Sequence, residues 1–478
     1  MKRRTFLTVA GSALVAIAGC SGDDDTDTAT PTATPMPETP TPETPAETPT
    51  PETSAETPTP EEGEGPETTV EAVELLVEDT AAGRFGEAFE QFGPTAQQQS
   101  SPGALEAVWL AMTNVGGAFE GVVDTAETTQ SGFDAVDATL GFERSDHVLR
   151  VLLGDEFAVV GVVVNDEYER PAYVDTDAFS EEEITLETED CLMGATVTVP
   201  EGGDSIPGVV LVHGSDPAGA ADRNLETIGS QVFRDLAEGL SSRGVAVLRY
   251  DRRTHACPNS VALSEYTLDS VSVDDALVAL GRLRSVDGVD SDRVSVAGHS
   301  LGGMVVPRIA RRDGGLAGGV AMAAPARSFY EIFVDQYEHL ATVGEFEWER
   351  MASLYERWRD RIDRIRQGDY SPDNTVLGYP GALWQSVDEY DQVAVAREVD
   401  TPFLFLQGER DYQVSAEEDF GQWQSELDGR PATDFGRYEG LNHVFQPGTG
   451  PSVPGEYALR NSLDRAVVED VADWLLGL

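Results

Sequence analysis

Lysine is almost missing from this chain of 478 residues, and Lys2 is the only one. Arginine supplies nearly all of the 32 basic residues, which face 86 acidic residues and leave a formal net charge of −54. Such a field repels polyphosphate backbones, because binding them requires clustered positive charge. The composition therefore argues against a nucleic-acid partner, while the length allows two or three folded units.

The apolar run near the N-terminus, residues 7–18, is too short to span a bilayer comfortably. Paired arginines, Arg3 and Arg4, precede it, and the sequence resembles a twin-arginine export signal. The run ends at Ile17-Ala18-Gly19-Cys20, which resembles a lipobox. We predict a signal at 1–20, lipidation of Cys20, and anchoring to the outer face of the cell membrane. The alternative is a plain signal with a chance cysteine.

Cysteine is scarce, and only Cys191 and Cys257 remain after Cys20. Their spacing matches no metal-ligand pattern, and the chain has no glycine-rich phosphate loop or nucleotide fingerprint. We therefore predict no metal and no cofactor. Outside the cytoplasm the pair could form a disulfide. A chain that folds before export does not need one, so we favour two free buried thiols and leave the disulfide open.

Residues 21–66 contain almost only Thr, Pro, Glu, Asp, Ala, Gly and Ser, with recurring Glu-Thr-Pro units. A stretch without apolar periodicity cannot bury a core, so we predict a disordered, extended linker. The acidic, nearly lysine-free composition of the whole chain resembles that of proteins from salt-loving archaea. The alternative is an ordinary acidic protein.

Residues 67–177 are predicted to form a small α+β accessory domain, because helical periodicity is followed by alternating β-branched runs. No set of residues suited to catalysis stands out in it, and we predict a structural or surface role for its lone His147. The expected task is positioning, bracing a lid, or oligomerisation. The helices are predicted at 70–81, 85–92 and 104–115, and the strands at 119–123, 135–142, 147–153 and 157–164.

Residues 181–478 alternate strand and helix signals, which predicts a mostly parallel sheet with helices on both faces. An aromatic-rich stretch at about 327–398 is predicted to form a helical cap over a pocket. The predicted strands are 208–212, 245–248, 294–297, 319–323, 403–406 and 433–438, and the predicted helices are 233–242, 272–284 and 303–312.

The sequence Gly298-His299-Ser300-Leu301-Gly302 matches G-x-S-x-G between a predicted strand and a predicted helix. This context indicates the nucleophile elbow of the α/β-hydrolase fold. Glycine is required at 298 and 302 because the turn is strained and side chains there would collide with neighbouring elements. We predict Ser300 as the nucleophile and a packing or supporting role for His299.

A serine nucleophile needs a general base and an acid that orients it, in the chain order Ser, Asp or Glu, then His. Two histidines follow the predicted nucleophile. His339 precedes the best acid and lies in a helical stretch, so His443 is the predicted base. Asp411 follows a buried strand and is the predicted acid. Glu409 is the second choice and Asp434 the third.

The oxyanion hole of such an enzyme needs two backbone amides. We predict the amide of Leu301, which follows the nucleophile, and the amide of Ser215 in the loop after the strand at 208–212. His213 begins this loop, and we expect it to shape the turn rather than to take part in catalysis.

Five segments resemble bacterial esterases of the α/β-hydrolase superfamily that are related to dienelactone hydrolases: LVHGS (211–215), FRDLA (233–237), LRYDRRT (248–254), LQGERDYQV (406–414) and GLNH (440–443). Some of these esterases carry an N-terminal accessory domain, and residues 67–177 resemble their cystatin-like or nuclear-transport-factor-like units. The resemblance implies hydrolysis of small carboxylic esters by Ser300, Asp411 and His443. Two departures are a longer loop at 216–223 and a serine where true dienelactone hydrolases use cysteine.

Three other functions are open to this sequence. A thioesterase or acyltransferase could use the same three residues. A prolyl-oligopeptidase-like peptidase usually carries a β-propeller, and no repeat array of that size is present. A non-enzymatic surface binding protein could use the fold as a scaffold.

Overall fold

The computed structural model describes residues 66–216, 219–343 and 348–478. The predicted signal with Cys20, and the predicted linker except its last residue, lie outside these residues. In the described part of the chain, none of the helices is both long enough and apolar enough to cross a membrane.

The N-terminal domain packs four helices on a four-stranded antiparallel sheet of order β1-β2-β3-β4. Helix α1 begins where the Thr68 side chain accepts a hydrogen bond from the Glu71 amide, and α4 begins after Ser101 with a proline in its first turn. The elements are α1 Thr69–Ala81, α2 Phe85–Glu90, α3 Pro94–Gln99, α4 Pro102–Gly116, β1 Phe119–Gln130, β2 Phe133–Phe142, β3 Asp146–Leu153 and β4 Val159–Val164.

The predicted helices and strands of this domain are present, and two differences have physical reasons. Helix α3 is short and polar, so it gives no apolar periodicity. Strand β1 continues to Gln130 instead of ending at 123, although its second half is mostly exposed. Strand β1 stays paired with β2 as far as Gln130, which lies opposite Phe133. This pairing extends β1 without apolar alternation in its sequence.

The C-terminal domain contains an eight-stranded sheet of order β14-β13-β10-β9-β7-β8-β6-β5. Six strands are parallel, and β5 and β6 form an antiparallel edge beside β8. The mostly parallel sheet agrees with the predicted α/β-hydrolase fold. The strands are β5 Phe179–Glu187, β6 Leu192–Pro200, β7 Ile206–Val212, β8 Ala246–Tyr250, β9 Val289–His299, β10 Gly319–Met322, β13 Phe403–Gly408 and β14 Thr433–Tyr438, and a separate hairpin pairs β11 Thr375–Val376 with β12 Tyr379–Pro380.

Helices cover both faces of this sheet, and alternate residues of β7 enter different cores. Val210 and Val212 pack under α7 and α8, whereas Val209 and Leu211 pack under α5 and α14. Helices α9 to α12 form the predicted cap region. The helices are α5 Val232–Ser241, α6 Arg253–Ala256, α7 Asp274–Leu283, α8 Leu301–Asp313, α9 Phe329–Thr342, α10 Trp348–Arg366, α11 Gly381–Asp388, α12 Gln392–Glu398, α13 Gly421–Glu426 and α14 Arg465–Gly477.

The edge strands β5 and β6 were not predicted, and they change one expectation. Strand β5 carries glutamates along its exposed length and begins at Phe179, two residues before the predicted boundary at 181. Strand β6 pairs antiparallel with β8, which brings the chain before β6 beside the chain after β8. Cys191 and Cys257 lie at these two places and form a disulfide. Our preference for two free thiols was therefore wrong. The sequence did not reveal that β6 lies beside β8, which brings the two cysteines together.

Candidate active site

Ser300 lies between the end of β9 and the first turn of α8, in a backbone conformation that non-glycine residues rarely adopt. Its φ is 57° and its ψ is −125°. The Ser300 amide donates to the Met322 carbonyl at the end of β10 (2.8 Å), which fixes the turn to the sheet. This strained turn places the hydroxyl at the carboxyl edge of the parallel strands, beside the N-terminus of a helix.

Glycines surround the turn because neighbouring backbone leaves no room for side chains. A Cβ on Gly298 would collide with the Gly302 carbonyl, and a Cβ on Gly302 would collide with the carbonyls of Val212 and His213. A Cβ on Gly214 would lie 2.9 Å from the Ser300 Cβ. The elbow and the loop after β7 are therefore in direct contact, as the predicted roles of Gly298 and Gly302 require.

His443 and Asp411 meet at the same sheet edge. His443 Nδ1 lies 2.8 Å from Asp411 Oδ2, and both side chains are nearly inaccessible, 6% and 0% exposed. The second oxygen of Asp411 accepts from the amides of Gln413 (2.8 Å) and Val414 (2.9 Å). With its carboxylate fixed by these donors, Asp411 can hold the imidazole in one orientation.

The His443 loop lies against the elbow. His299 Nε2 lies 2.9 Å from the His443 carbonyl oxygen, and the two rings are 4.6 Å apart between centroids. Within the described residues, no hydrogen bond joins the Ser300 hydroxyl to the His443 ring. Such bonds are often long in the absence of substrate and tighten when it binds.

His299 remains neutral beside His443. Burial, together with the neighbouring His443 ring, lowers the pKa of His299 to about 3. A neutral His299 donates its Nε2 proton to the His443 carbonyl and adds no positive charge next to the second imidazole. This arrangement favours a base that must itself become positively charged during catalysis.

The two predicted oxyanion amides belong to the first residue of α8 and to the loop after β7, which contacts Ser300 at Gly214. In the described part of the chain, neither the Leu301 amide nor the Ser215 amide donates to a protein acceptor. The loop that carries Ser215 is held by His213, whose Nε2 lies 2.8 Å from the Asp222 carbonyl oxygen. Burial lowers the pKa of His213 to about 4, so it acts as a neutral hydrogen-bond donor in this loop.

Comparison with known proteins identifies the family of the chain. A profile of the alpha/beta hydrolase family matches residues 209–473. Esterase EstD of Thermotoga maritima is 33% identical over 408 residues, which cover 84% of this chain and 94% of EstD. The chain belongs to the alpha/beta hydrolase family.

Solved structures similar to this α/β hydrolase include two esterases. The hyperthermophilic esterase from the archaeon Pyrobaculum calidifontis is 18% identical, with a TM-score of 0.42, covering 62% of this chain and 83% of its own. Est1E from Butyrivibrio proteoclasticus is 15% identical, with a TM-score of 0.39, covering 62% of this chain and 98% of its own. The family assignment rests on the sequence matches.

The residues that were weaker candidates for the acid and the base of this α/β hydrolase contact other groups. Glu409 pairs with Arg437 (2.7 Å), and Asp434 accepts from the Trp474 indole (2.9 Å). His339, in α9, contacts the Ser452 carbonyl through Nε2 (2.8 Å). None of these three contacts involves Ser300.

Gln407 is a residue of the site that the sequence did not single out. Its Nε2 is 2.8 Å from Asp411 Oδ2, the oxygen that also contacts His443, and 3.1 Å from the Val414 carbonyl. The side chain is buried at the end of β13. A polar residue at a buried position of an apolar strand was the available signal.

A second serine–histidine–aspartate chain lies in the N-terminal domain. Ser145 Oγ is 2.9 Å from His147 Nε2, and His147 Nδ1 is 2.7 Å from Asp166 Oδ2. Burial pushes the pKa of Asp166 up, but the His147 bond and two backbone amides outweigh burial and hold this pKa below its usual value. His147 is fully buried in β3, and one of the amides belongs to Arg460 of the other domain (2.7 Å). These bonds join the domains, and the structural or surface role of His147 remains our prediction.

Within the described residues, no three His, Cys, Asp or Glu side chains converge as a metal site would require.

Proposed function

We propose that this α/β hydrolase cleaves carboxylic esters with Ser300 as nucleophile, His443 as general base and Asp411 as the residue that orients the base. The observation that carries the proposal is the 2.8 Å contact between His443 and Asp411 at the sheet edge that also carries the strained Ser300 turn. The match to an esterase over 84% of the chain supports the ester as substrate class. The five sequence segments between residues 211 and 443 that resemble bacterial esterases favour a relationship to dienelactone hydrolases within the family.

The reaction follows from these groups. His443 Nε2 accepts the Ser300 proton while Oγ attacks the ester carbonyl carbon, and Asp411 stabilises the resulting imidazolium through Nδ1–H. The amides of Leu301 and Ser215 bind the tetrahedral oxyanion. The imidazolium then protonates the leaving alcohol and leaves an acyl-serine, which water hydrolyses with the same proton transfers.

Labelling with a fluorophosphonate and hydrolysis of p-nitrophenyl acetate, both in concentrated salt, test the proposal. Ser300→Ala should abolish labelling and lower kcat by several orders of magnitude while the protein remains folded. Ser145→Ala is the matched control, because Ser145 also contacts a histidine that contacts an aspartate. We expect this control to retain both labelling and activity. Wild-type turnover by the Ser300 variant would disprove the assignment.

A substrate panel separates this function from the others that share the triad. Faster turnover of acyl-thioesters than of matched oxygen esters would favour a thioesterase, and transfer to added alcohols would favour an acyltransferase. Turnover of aminoacyl amides would favour a peptidase. Failure of the probe to label Ser300 would favour a surface binding protein.

We further propose that the enzyme is exported by the twin-arginine route and anchored through Cys20 in a salt-loving archaeon, with residues 21–66 as the linker to an accessory domain at 67–177. The charge of −54 and the single lysine support the saline setting. The disulfide between Cys191 and Cys257 supports a compartment outside the cytoplasm. In a haloarchaeal host, Cys20→Ser should release activity from the membrane fraction into the medium. Replacing both Arg3 and Arg4 with lysine should keep the activity inside the cell.

A further inference from the structure

The chain that follows His443 leaves the C-terminal domain and enters the accessory domain. Residues 448–459, here called the bridging segment, contribute Val453 and Leu459 to the apolar core of the accessory domain. A Cβ on Gly455 would lie 2.9 Å from the Cβ of Ala111 in α4. The bridging segment therefore belongs to the accessory domain by its packing, although it begins five positions after His443.

One buried carboxylate connects this segment to the residues beside the base and its partner. Glu456 is fully buried. Its Oε1 accepts from Asn114 Nδ2 of the accessory domain (3.0 Å) and from Arg410 Nη2 (2.7 Å). Its Oε2 accepts from Asn442 Nδ2 (3.2 Å). Arg410 immediately precedes Asp411 in the chain, and Asn442 immediately precedes His443.

The two neighbours of the site are held by further bonds. Asn442 Oδ1 accepts from the amides of Val444 (3.2 Å) and Gln446 (3.0 Å), which closes the turn that carries His443. Arg410 Nε donates to the Gly450 carbonyl (2.8 Å) in the bridging segment. A buried carboxylate is tolerated only where donors satisfy it, so its donors must move together with it. Glu456 is therefore bonded directly to the residues that precede Asp411 and His443, and a shift of Glu456 would strain both bonds.

Asn114 holds the segment from the accessory side. Its Nδ2 also donates to the Pro451 carbonyl (2.6 Å), and its own carbonyl accepts from the Thr449 amide (2.9 Å). Arg144 supports the same point by donating from Nη2 to the Asn114 carbonyl (2.7 Å) and to Thr449 Oγ1 (3.2 Å). The bonds from Asn114 and Arg144 to Thr449 and Pro451 join residues more than 300 positions apart in the sequence.

We propose that the accessory domain positions the catalytic base, with Asn114 and Glu456 as positioning residues that act through Asn442 and Arg410. The inference rests on the proposed function, because His443 and Asp411 are the groups positioned. His443 lies in the turn that Asn442 closes, so the place of that turn sets the approach of the imidazole to the Ser300 hydroxyl. The accessory domain sets the place of that turn.

The test distinguishes positioning of His443 by the accessory domain from simple attachment of the two domains to each other. Asn114→Ala removes the accessory-side donor to Glu456. Arg460→Ala is the matched control, because Arg460 Nη2 donates to the Asp146 carbonyl across the same pair of domains (2.6 Å) and is not bonded to Glu456, Asn442 or Arg410. Both variants are made in the full chain. Active sites are counted by fluorophosphonate titration, and kcat, KM and pH profiles are measured with p-nitrophenyl acetate.

For Asn114→Ala we expect kcat per titrated site to fall about 10- to 100-fold, the cost of a displacement near 1 Å, with KM changed less than about two-fold. The midpoint of its pH–activity profile should move to lower pH, because a displaced carboxylate stabilises the imidazolium less. Arg460→Ala should keep the wild-type kcat per site and the wild-type midpoint. A merely structural role for Asn114 would reduce the number of titrated sites and change neither quantity.

Two outcomes overturn the inference in different ways. If wild-type Ser300 is labelled but Asn114→Ala behaves like Arg460→Ala, positioning fails while the esterase proposal stands. If wild-type Ser300 is not labelled, the proposed function fails first. Should Asn114→Ala not fold, Arg144→Ala weakens the same attachment from its exposed edge, and a kcat per site equal to that of the wild type would then refute positioning.

Discussion

Replacing Asp411 with asparagine should move the proton of the neutral His443 ring from Nδ1 to Nε2 without disturbing the packing. In the wild type one Asp411 oxygen accepts from the amides of Gln413 and Val414, while the other faces His443 Nδ1 and Gln407 Nε2. An asparagine must turn its oxygen toward the two backbone amides, because they cannot accept a hydrogen bond. Its NH₂ group then faces His443 and requires an unprotonated Nδ1.

That requirement places the imidazole proton on Nε2, where it prevents removal of the Ser300 proton. We expect kcat to fall about 10⁴-fold, the loss known for a triad carrying this tautomer, with KM nearly unchanged. The corresponding barrier is about 5.5 kcal/mol higher. Gln407 Nε2 also donates to the carbonyls of Gly408 and Val414, so Gln407 cannot turn its oxygen toward the new NH₂ group and loses its bond to residue 411, at a cost of about 1 kcal/mol.

The assay is steady-state hydrolysis of p-nitrophenyl acetate, with circular dichroism to verify folding. Glu409→Gln is the control, since Glu409 was the second-choice acid and pairs with Arg437 instead of a histidine. We expect this control to stay within two-fold of the wild type, an effect typical of a surface ion pair. If Asp411→Asn keeps more than about a tenth of the activity, or Glu409→Gln loses as much, the tautomer argument is refuted.

Three further predictions concern stability and the elbow. Burial raises the pKa of Asp235 to about 7, so the stability that this group contributes is complete below its unfolded value and is lost as the pH rises through 7. Urea unfolding should show that Asp235→Asn removes up to about 4 kcal/mol of that pH dependence between pH 4 and 8, and an unchanged slope would contradict it. Replacing Cys191 and Cys257 by serine should lower the free energy of unfolding by about 4 kcal/mol, because the bond closes a 66-residue separation. Gly302→Ala should cost about 1–3 kcal/mol and most of the activity, whereas Gly281→Ala, with open space around it, should have neither effect in melting and activity assays.

The parts of the fold that the sequence predicted are those that local patterns encode. The buried parallel strands read as apolar runs, so β7, β8, β10 and β13 were predicted within a few residues. The elbow was predictable because its strain must be met by glycines at fixed spacing around Ser300. The acidic edge strand β5 gave no such pattern, since its charged side chains face solvent along most of its length.

The rest of the site depends on contacts between distant parts of the chain. The order Ser, Asp, His suggested Ser300, Asp411 and His443, and the structure brings Asp411 and His443 into contact. Gln407 was missed because its role appears only when the carboxylate turns back onto β13. The contact between Asn114 and Glu456 spans 342 positions, and neither residue belongs to a recognisable motif. Contacts of this kind follow from tertiary packing, which periodicity does not encode.

The shared core has a consequence for the order in which the molecule is completed. Most of the accessory domain precedes the C-terminal domain in the chain, yet two of its buried side chains, Val453 and Leu459, follow all eight strands of the C-terminal sheet. A ribosome-bound fragment cannot finish that domain, because its apolar interior stays partly uncovered. The core of the accessory domain is therefore completed only when the segment that follows His443 has been synthesised and has packed against it.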